Sequence, residues 1–310
     1  MPRRLHPRVI VPWSGRRFII TPRTFTNPTS QVLELKNQLF LIDCGEGTQV
    51  QLRIQKIKFS RINHIFISHL HGDHFYGLIG LISTFTLLNR ENDLHVYGPV
   101  GIKEIILLQL KISNSYTGYN LYFHELNSKE SETVFEDEKV IVKTIPLKHR
   151  VYTNGYLFKE KNSKRKLNIE AVENYQIDTC YYQKIQYGGD VTLENGTTIS
   201  NAELSFEPDY EKSYAFCSDT VYNEDILSII KDVDVLYHES TFLETEAHLA
   251  EKTMHTTAKQ AAEIAKKANV KNLIMGHYST RYGNIELFKE EAQSIFKNIH
   301  LADDGKSFEF

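Results

Sequence analysis

The run Ser68-His69-Leu70-His71-Gly72-Asp73-His74 follows directly on the apolar segment His64-Ile65-Phe66-Ile67 and places four metal-binding side chains within six residues. Neutral imidazole and carboxylate oxygen are the ligands of zinc-type cations, and a strand feeding a tight turn aims alternate side chains at one point. Gly72 is placed to let that turn close. A polar loop with exposed histidines has no reason to adopt this spacing. The fold must therefore hold a strand end rigidly and bring further donors to it from elsewhere in the chain.

With 310 residues the chain is long enough for a large buried core, and it reads as one α/β domain carrying an insertion. Lys plus Arg total 36 against 39 for Asp plus Glu, a formal charge of -3, so no global field attracts polyanions and any nucleic-acid surface must be local. Cys44, Cys180 and Cys217 make an odd set without a C-x-x-C pair, which argues against a disulfide framework and a zinc ribbon and fits a reducing cytoplasm. The apolar stretch Leu78 to Leu88 is too short to span a bilayer and reads as a buried helix, so no membrane contact is expected. Residues 1–20 stand apart. Arg3, Arg4, Arg8, Arg16 and Arg17 occur with no acidic residue before Glu34, yet too little Ser and no amphipathic period accompany them for a transit peptide. The segment is expected to be atypical and dispensable.

Strand-like runs recur at Gln31 to Leu35, Leu39 to Asp43, Ile65 to Ser68, Leu94 to Tyr97, Val140 to Ile145, Tyr214 to Cys217, Val233 to Tyr237 and Asn272 to Met275. Lys36-Asn37 reads as a hairpin turn. Helical spacing is clearest at Ala261, Ile264, Ala265 and Ala268, with Thr256 or Thr257 placed to cap the start. His69, Asp219, His238-Glu239 and His277 each follow the end of an apolar strand, the edge where α/β sheets gather their sites.

Taken singly, His149, Asp219 and His277 are ordinary strand-end residues. Together with the histidine run they supply seven donors, enough for two metal ions sharing a bridging carboxylate. The chain then resembles the metallo-β-lactamase superfamily and, within it, the short form of the tRNase Z (ribonuclease Z) family, from about Thr21 to the C-terminus. The matching pieces are Asn27-Pro28-Thr29-Ser30, the stretch Leu41 to Gln49, the histidine run, Pro146-Leu147-Lys148-His149, Ser218-Asp219-Thr220, His238-Glu239-Ser240-Thr241, His255-Thr256-Thr257 and His277-Tyr278-Ser279-Thr280-Arg281-Tyr282. The resemblance implies a four-layer αββα sandwich, residues 21–310, with an exosite arm inserted at about 152–209. It implies two zinc ions per subunit, one held by His69, His71 and His149, the other by Asp73, His74 and His277, with Asp219 between them. It implies that a hydroxide shared by the metals attacks precursor tRNA and leaves a 3′-hydroxyl on the tRNA, Asp73 orienting the nucleophile while Glu239 and His255 act on the leaving oxygen. A homodimer is implied as well.

The arm's local basic run, Lys159, Lys161, Lys164, Arg165 and Lys166, is the expected RNA contact. The chain departs from the family twice. The Gly-Pro-rich stretch of the arm is replaced by Ile177-Asp178-Thr179-Cys180-Tyr181-Tyr182, and the family's first strand ends in Leu-Gly-Thr-Gly-like residues where this chain has Val11-Pro12-Trp13-Ser14-Gly15-Arg16-Arg17. The alternative is another hydrolase of the same fold acting on a small ester or phosphodiester.

Overall fold

A computed structural model describes residues 17–21, 28–161, 164–208 and 210–310. Two seven-stranded sheets lie face to face. The first runs, edge to edge, Lys306–Glu309, Arg17–Thr21, Ser30–Leu35, Gln38–Ile42, Ile62–Phe66, Leu94–Pro99 and Leu121–Leu126. The second runs Ile299–Leu301, Asn272–Gly276, Val235–Glu239, Ser213–Cys217, Thr153–Glu160, Val140–Leu147 and Thr133–Glu136. Each sheet is part parallel, part antiparallel. In the first, Gln38–Ile42, Ile62–Phe66, Leu94–Pro99 and Leu121–Leu126 run parallel; in the second, Ser213–Cys217, Val235–Glu239, Asn272–Gly276 and Ile299–Leu301 do. Parallel strands need covering on both faces, and helices supply the cover.

Strand alternation sorts the core into three seams. Phe40, Phe66, Tyr156, Phe158, Phe216 and Tyr237 fill the space between the sheets. Ile65, Ile67, Val96 and the helix residues Leu78, Leu81, Ile82 and Ile106 cover the outer face of the first sheet. Ala215, Leu236, Leu273 and Met275 meet Ala258, Ala262, Ala265 and Phe288 outside the second. Each fully buried large side chain contributes about 1.5–3 kcal/mol, so the middle seam alone ties the sheets into one unit. The architecture is a four-layer αββα sandwich.

Local signals place several elements closely. Lys36 and Asn37 both have positive φ, 48° and 63°, the geometry of a two-residue hairpin that matches strand twist. The helix Ala258–Lys267 begins at Thr257 with a capping box to Gln260. Two strand ends are misplaced: the metal-motif strand stops at Phe66, so Ile67 and Ser68 already belong to the turn, and Val235–Glu239 runs two residues past Tyr237, so His238 and Glu239 stand within the strand and not beyond it. Gly72 opens a short helix, Gly72–Phe75, and a Cβ there would stand 2.3 Å from the exposed Tyr76 ring, which would have to swing aside.

The strand Arg17–Thr21 pairs with both Ser30–Leu35 and Lys306–Glu309, so regular structure starts inside the segment that composition sets apart; residues 1–16 lie outside the described residues. The insertion is also shorter than its expected span. Thr153–Glu160 is an interior strand of the second sheet, with Tyr156 and Phe158 turned into the middle seam and Lys159 outward. Beyond it, Ala171, Val172, Ile177, Ile185, Val191, Ile199 and Leu204 form a small core of their own. No helix among the described residues is long and apolar enough to cross a membrane.

Candidate metal centre

The parallel strands of both sheets deliver their carboxyl ends to one rim, with His69 to His74 past Ile62–Phe66, Asp219 past Ser213–Cys217 and His277 past Asn272–Gly276, while His149 arrives from the end of the antiparallel strand Val140–Leu147. Asp43, Asp219 and His277 all adopt left-handed backbone, with φ of 56°, 55° and 61°, directly after or within two residues of a strand end. Each such residue costs on the order of 1–3 kcal/mol, a penalty that surrounding structure must offset. Around Asp43 that structure is interlocking backbone: the amide of Cys44 donates to the carbonyl of His74 at 2.7 Å, and that of Thr29 to Asp73 at 3.1 Å. Gly45 lies so close beneath Asp73 that a Cβ would sit 2.3 Å from its carbonyl oxygen.

Asp219 occupies the centre, and its two oxygens divide the imidazoles. Oδ2 is 3.6 Å from His69 Nε2 and 3.8 Å from His149 Nε2; Oδ1 is 3.3 Å from His74 Nε2 and 3.2 Å from His277 Nε2. His71 joins the first group, its Nδ1 2.9 Å from His69 Nε2, and Asp73 joins the second, its Oδ2 3.7 Å from His74 Nε2. Two ligand clusters result, His69, His71, His149 and Asp219 on one side and Asp73, His74 and His277 on the other. Burial opposes charge on Asp219, yet His277 and His74 hold its carboxyl well below the usual range.

The outer nitrogens of four of these rings, His69, His74, His149 and His277, are engaged. His74 Nδ1 donates to Asp43 at 2.7 Å, His149 Nδ1 donates to the Met254 carbonyl at 2.9 Å, and His69 Nδ1 is 3.0 Å from the Ser68 hydroxyl. The Nε2 atoms of His74, His149 and His277, by contrast, are buried without a hydrogen-bond partner. Buried polar atoms are nearly always satisfied. Unpaired imidazole nitrogens converging on a carboxylate at these distances fit a cation with nitrogen and oxygen ligands.

Beside the second cluster, His255 Nδ1 meets Glu239 Oε1 at 2.8 Å. Burial disfavours charge on both, but each offsets the loss for the other: His255 holds the Glu239 carboxyl below its ordinary range, and Glu239 raises the pKa of His255. His255 also lies within ligand-atom reach of Asp219 and His277.

Ribonuclease Z of Bacteroides thetaiotaomicron is 45% identical over 284 residues, covering 92% of this chain and 90% of that protein. The chain belongs to the ribonuclease Z family. Ribonuclease Z of Porphyromonas gingivalis strain W83 is 46% identical over 283 residues, 91% of this chain and 93% of that protein. A family model described as Anti-Pycsar protein Apyc1 also matches, over residues 20–300. Among solved structures, human tRNase Z, short form, superposes with a TM-score of 0.68 at 25% identity, covering 94% of this chain and 98% of that one. The metallo-β-lactamase fold protein YhfI of Bacillus subtilis gives 0.64 at 14% identity, covering 96% and 100%, a likeness of fold.

In this ribonuclease Z chain all seven expected donors, with Glu239 and His255, come to one rim. The basic run does not stay together in the same way. Lys159 is on the second sheet, Lys161 pairs with Glu136 at 2.7 Å, and Arg165 is taken up by Glu207 and Ser205. Lys164 lies 5.0 Å from the centre of the Tyr187 ring, and Lys166 is exposed at the arm's entry. Residues without an expected role prove central. Asp43, Ser68 and Thr241 contact the outer nitrogens of His74, His69 and His277 at 2.7, 3.0 and 2.9 Å; all three lie inside quoted motifs, and Asp43 follows an apolar strand just as Asp219 does.

Proposed function

We propose that this chain is a zinc-dependent endoribonuclease that removes 3′ trailers from precursor tRNA. The observation that carries the reading is the pairing of two ligand clusters about Asp219 with the His255–Glu239 couple beside them, in a chain whose relatives are named ribonuclease Z. His69, His71 and His149 would hold one zinc and Asp73, His74 and His277 the other, with Asp219 shared. Bound there, zinc would supply Lewis acidity, activating water and offsetting phosphoryl charge.

The chain's own residues account for the rest. Asp73, the most accessible of the donor carboxylates, orients the attacking water and takes up its proton. A P–O bond forms to that water and the bond from phosphorus to the 3′-oxygen of the discriminator nucleotide breaks. A ribose alkoxide leaves poorly, and His255, kept protonated by Glu239, gives it the proton that yields a 3′-hydroxyl on the tRNA. The trailer departs with the phosphate. Zinc as the working metal, a cytoplasmic setting and a homodimer belong to the same proposal. The free thiols support the setting. Val50, Ile54, Leu87, Leu107, Leu108 and Ile112, apolar yet exposed on the helices outside the first sheet, support the dimer.

Incubation of the purified protein with a 3′-extended precursor tRNA, mapping both product ends, tests the reading. Cleavage after the discriminator with a 3′-hydroxyl supports it. Turnover of small phosphodiesters with no cut in the precursor would favour the alternative of a small-ester or phosphodiester hydrolase.

A further inference from the structure

Glu239 is surrounded by donors. Its Oε1 accepts from His255 Nδ1 at 2.8 Å and from the Thr220 amide at 2.8 Å; its Oε2 accepts from the Thr241 hydroxyl at 2.7 Å and from the amides of Thr241 and Thr256 at 3.2 Å each. The three amides can only donate, one to Oε1 and two to Oε2, and an ionised carboxylate accepts all five bonds. The Thr241 hydroxyl has a single hydrogen, and Glu239 takes it. The same oxygen lies 2.9 Å from His277 Nδ1 and can meet that nitrogen only as an acceptor. His277 Nδ1 must therefore carry hydrogen, which leaves Nε2 as the bare nitrogen, aimed at Asp219.

We propose that Thr241 is a positioning residue whose hydroxyl couples the Glu239 carboxylate to His277 and so fixes which imidazole nitrogen is free to bind metal. The inference rests on the reading of His277 as a zinc ligand. One carboxylate then sets hydrogen positions on two rings: directly on His255, and through a hydroxyl on His277. The first sheet repeats the arrangement. The Ser68 hydroxyl donates to Asp43 Oδ2 at 2.9 Å and accepts from His69 Nδ1 at 3.0 Å, while Asp43 holds His74 directly. A threonine placed only to fill space would not need its oxygen between a carboxylate and a ring nitrogen.

The experiment compares wild type, Thr241→Val and Thr241→Ser. Nitrogen-15 spectra of histidine-labelled, metal-free protein in mildly alkaline buffer, with His277 assigned from His277→Gln, should show hydrogen on Nδ1 in wild type and in the serine variant. The valine variant should shift toward hydrogen on Nε2. Chelator competition should find one of the zinc equivalents held about 10–100-fold more weakly in Thr241→Val, the usual effect of removing an outer hydrogen-bond partner, with Thr241→Ser near wild type. Hydrogen on Nε2 in the wild type, unchanged zinc affinity in the valine variant, or a serine variant as weak as valine would each overturn the proposal. Should Thr241→Val not fold, the wild-type spectrum and the serine variant still decide. A wild type with hydrogen on Nδ1 that holds no zinc would overturn the metal reading and leave the relay standing.

Discussion

On the rim of the first sheet, Asp43 serves two rings that both face Asp219, namely His74 directly and His69 through Ser68. On the rim of the second, Glu239 serves one ring that faces Asp219, His277, and one, His255, whose side chain is 12% exposed. The hardware is alike: a buried carboxylate, a backbone amide on it, a hydroxyl relay and two imidazoles. What differs is the second ring. Where both rings point inward the carboxylate fixes the orientation of two converging nitrogens; where one reaches solvent, the same carboxylate favours the protonated form of that ring, which the proposed function uses as its acid.

The harshest way to break this comparison is to remove what both rims share. Asp219→Ala should lose most of the bound zinc by elemental analysis and cut precursor cleavage by roughly a thousandfold or more, several kcal/mol of Lewis-acid stabilisation. Full metal occupancy in that variant would mean the two clusters are not joined through Asp219. Next come the outward and inward rings. His255→Ala should slow precursor cleavage about a hundredfold, the usual scale of general acid catalysis, while zinc stays bound and an ester with a good leaving group is spared. Zinc lost along with activity would make His255 a ligand, as its distance from Asp219 and His277 allows.

Asp43→Asn should behave in the opposite sense. Its main effect should be a zinc affinity lower by about 10–100-fold, read by chelator competition, with cleavage recovering as zinc is added. If excess zinc restored nothing, Asp43 would have a chemical role that makes the rims more alike than the geometry indicates. Smaller still is the arm. Replacing Lys164 and Lys166 by Ala should weaken precursor binding and flatten its salt dependence by about one logarithmic unit of slope per lost phosphate contact. Hydrolysis of a small phosphodiester should not change. At the bottom of the scale, Thr257→Ala should lower thermal stability by about 1 kcal/mol through loss of the capping box, leaving catalysis intact.

The strands that carry donors were the easiest to read, since an apolar run followed by an acid or histidine marks both the element and its site. Thr153–Glu160 was harder. Asn154, Gly155 and a charged end interrupt its alternation, and only the seam between the sheets reveals why Tyr156 and Phe158 must belong to a strand. Asp43 was visible as part of a motif but silent in role, because a carboxylate that orients a ring looks in sequence like one that binds a metal. The arm's basic residues were legible as charge and not as surface: ion pairs with Glu136 and Glu207 come from segments far along the chain.

The left-handed backbone at Asp43, Asp219 and His277 narrows what an engineer could install at this rim. Asparagine, aspartate, histidine and glycine enter that conformation readily, whereas valine, isoleucine and threonine do not. A library randomised at these three sites to recruit a different cation would thus return few folded β-branched clones, whatever their affinity. Softer ligand sets would be sought more profitably at His71 or Asp73, whose backbone imposes no such filter.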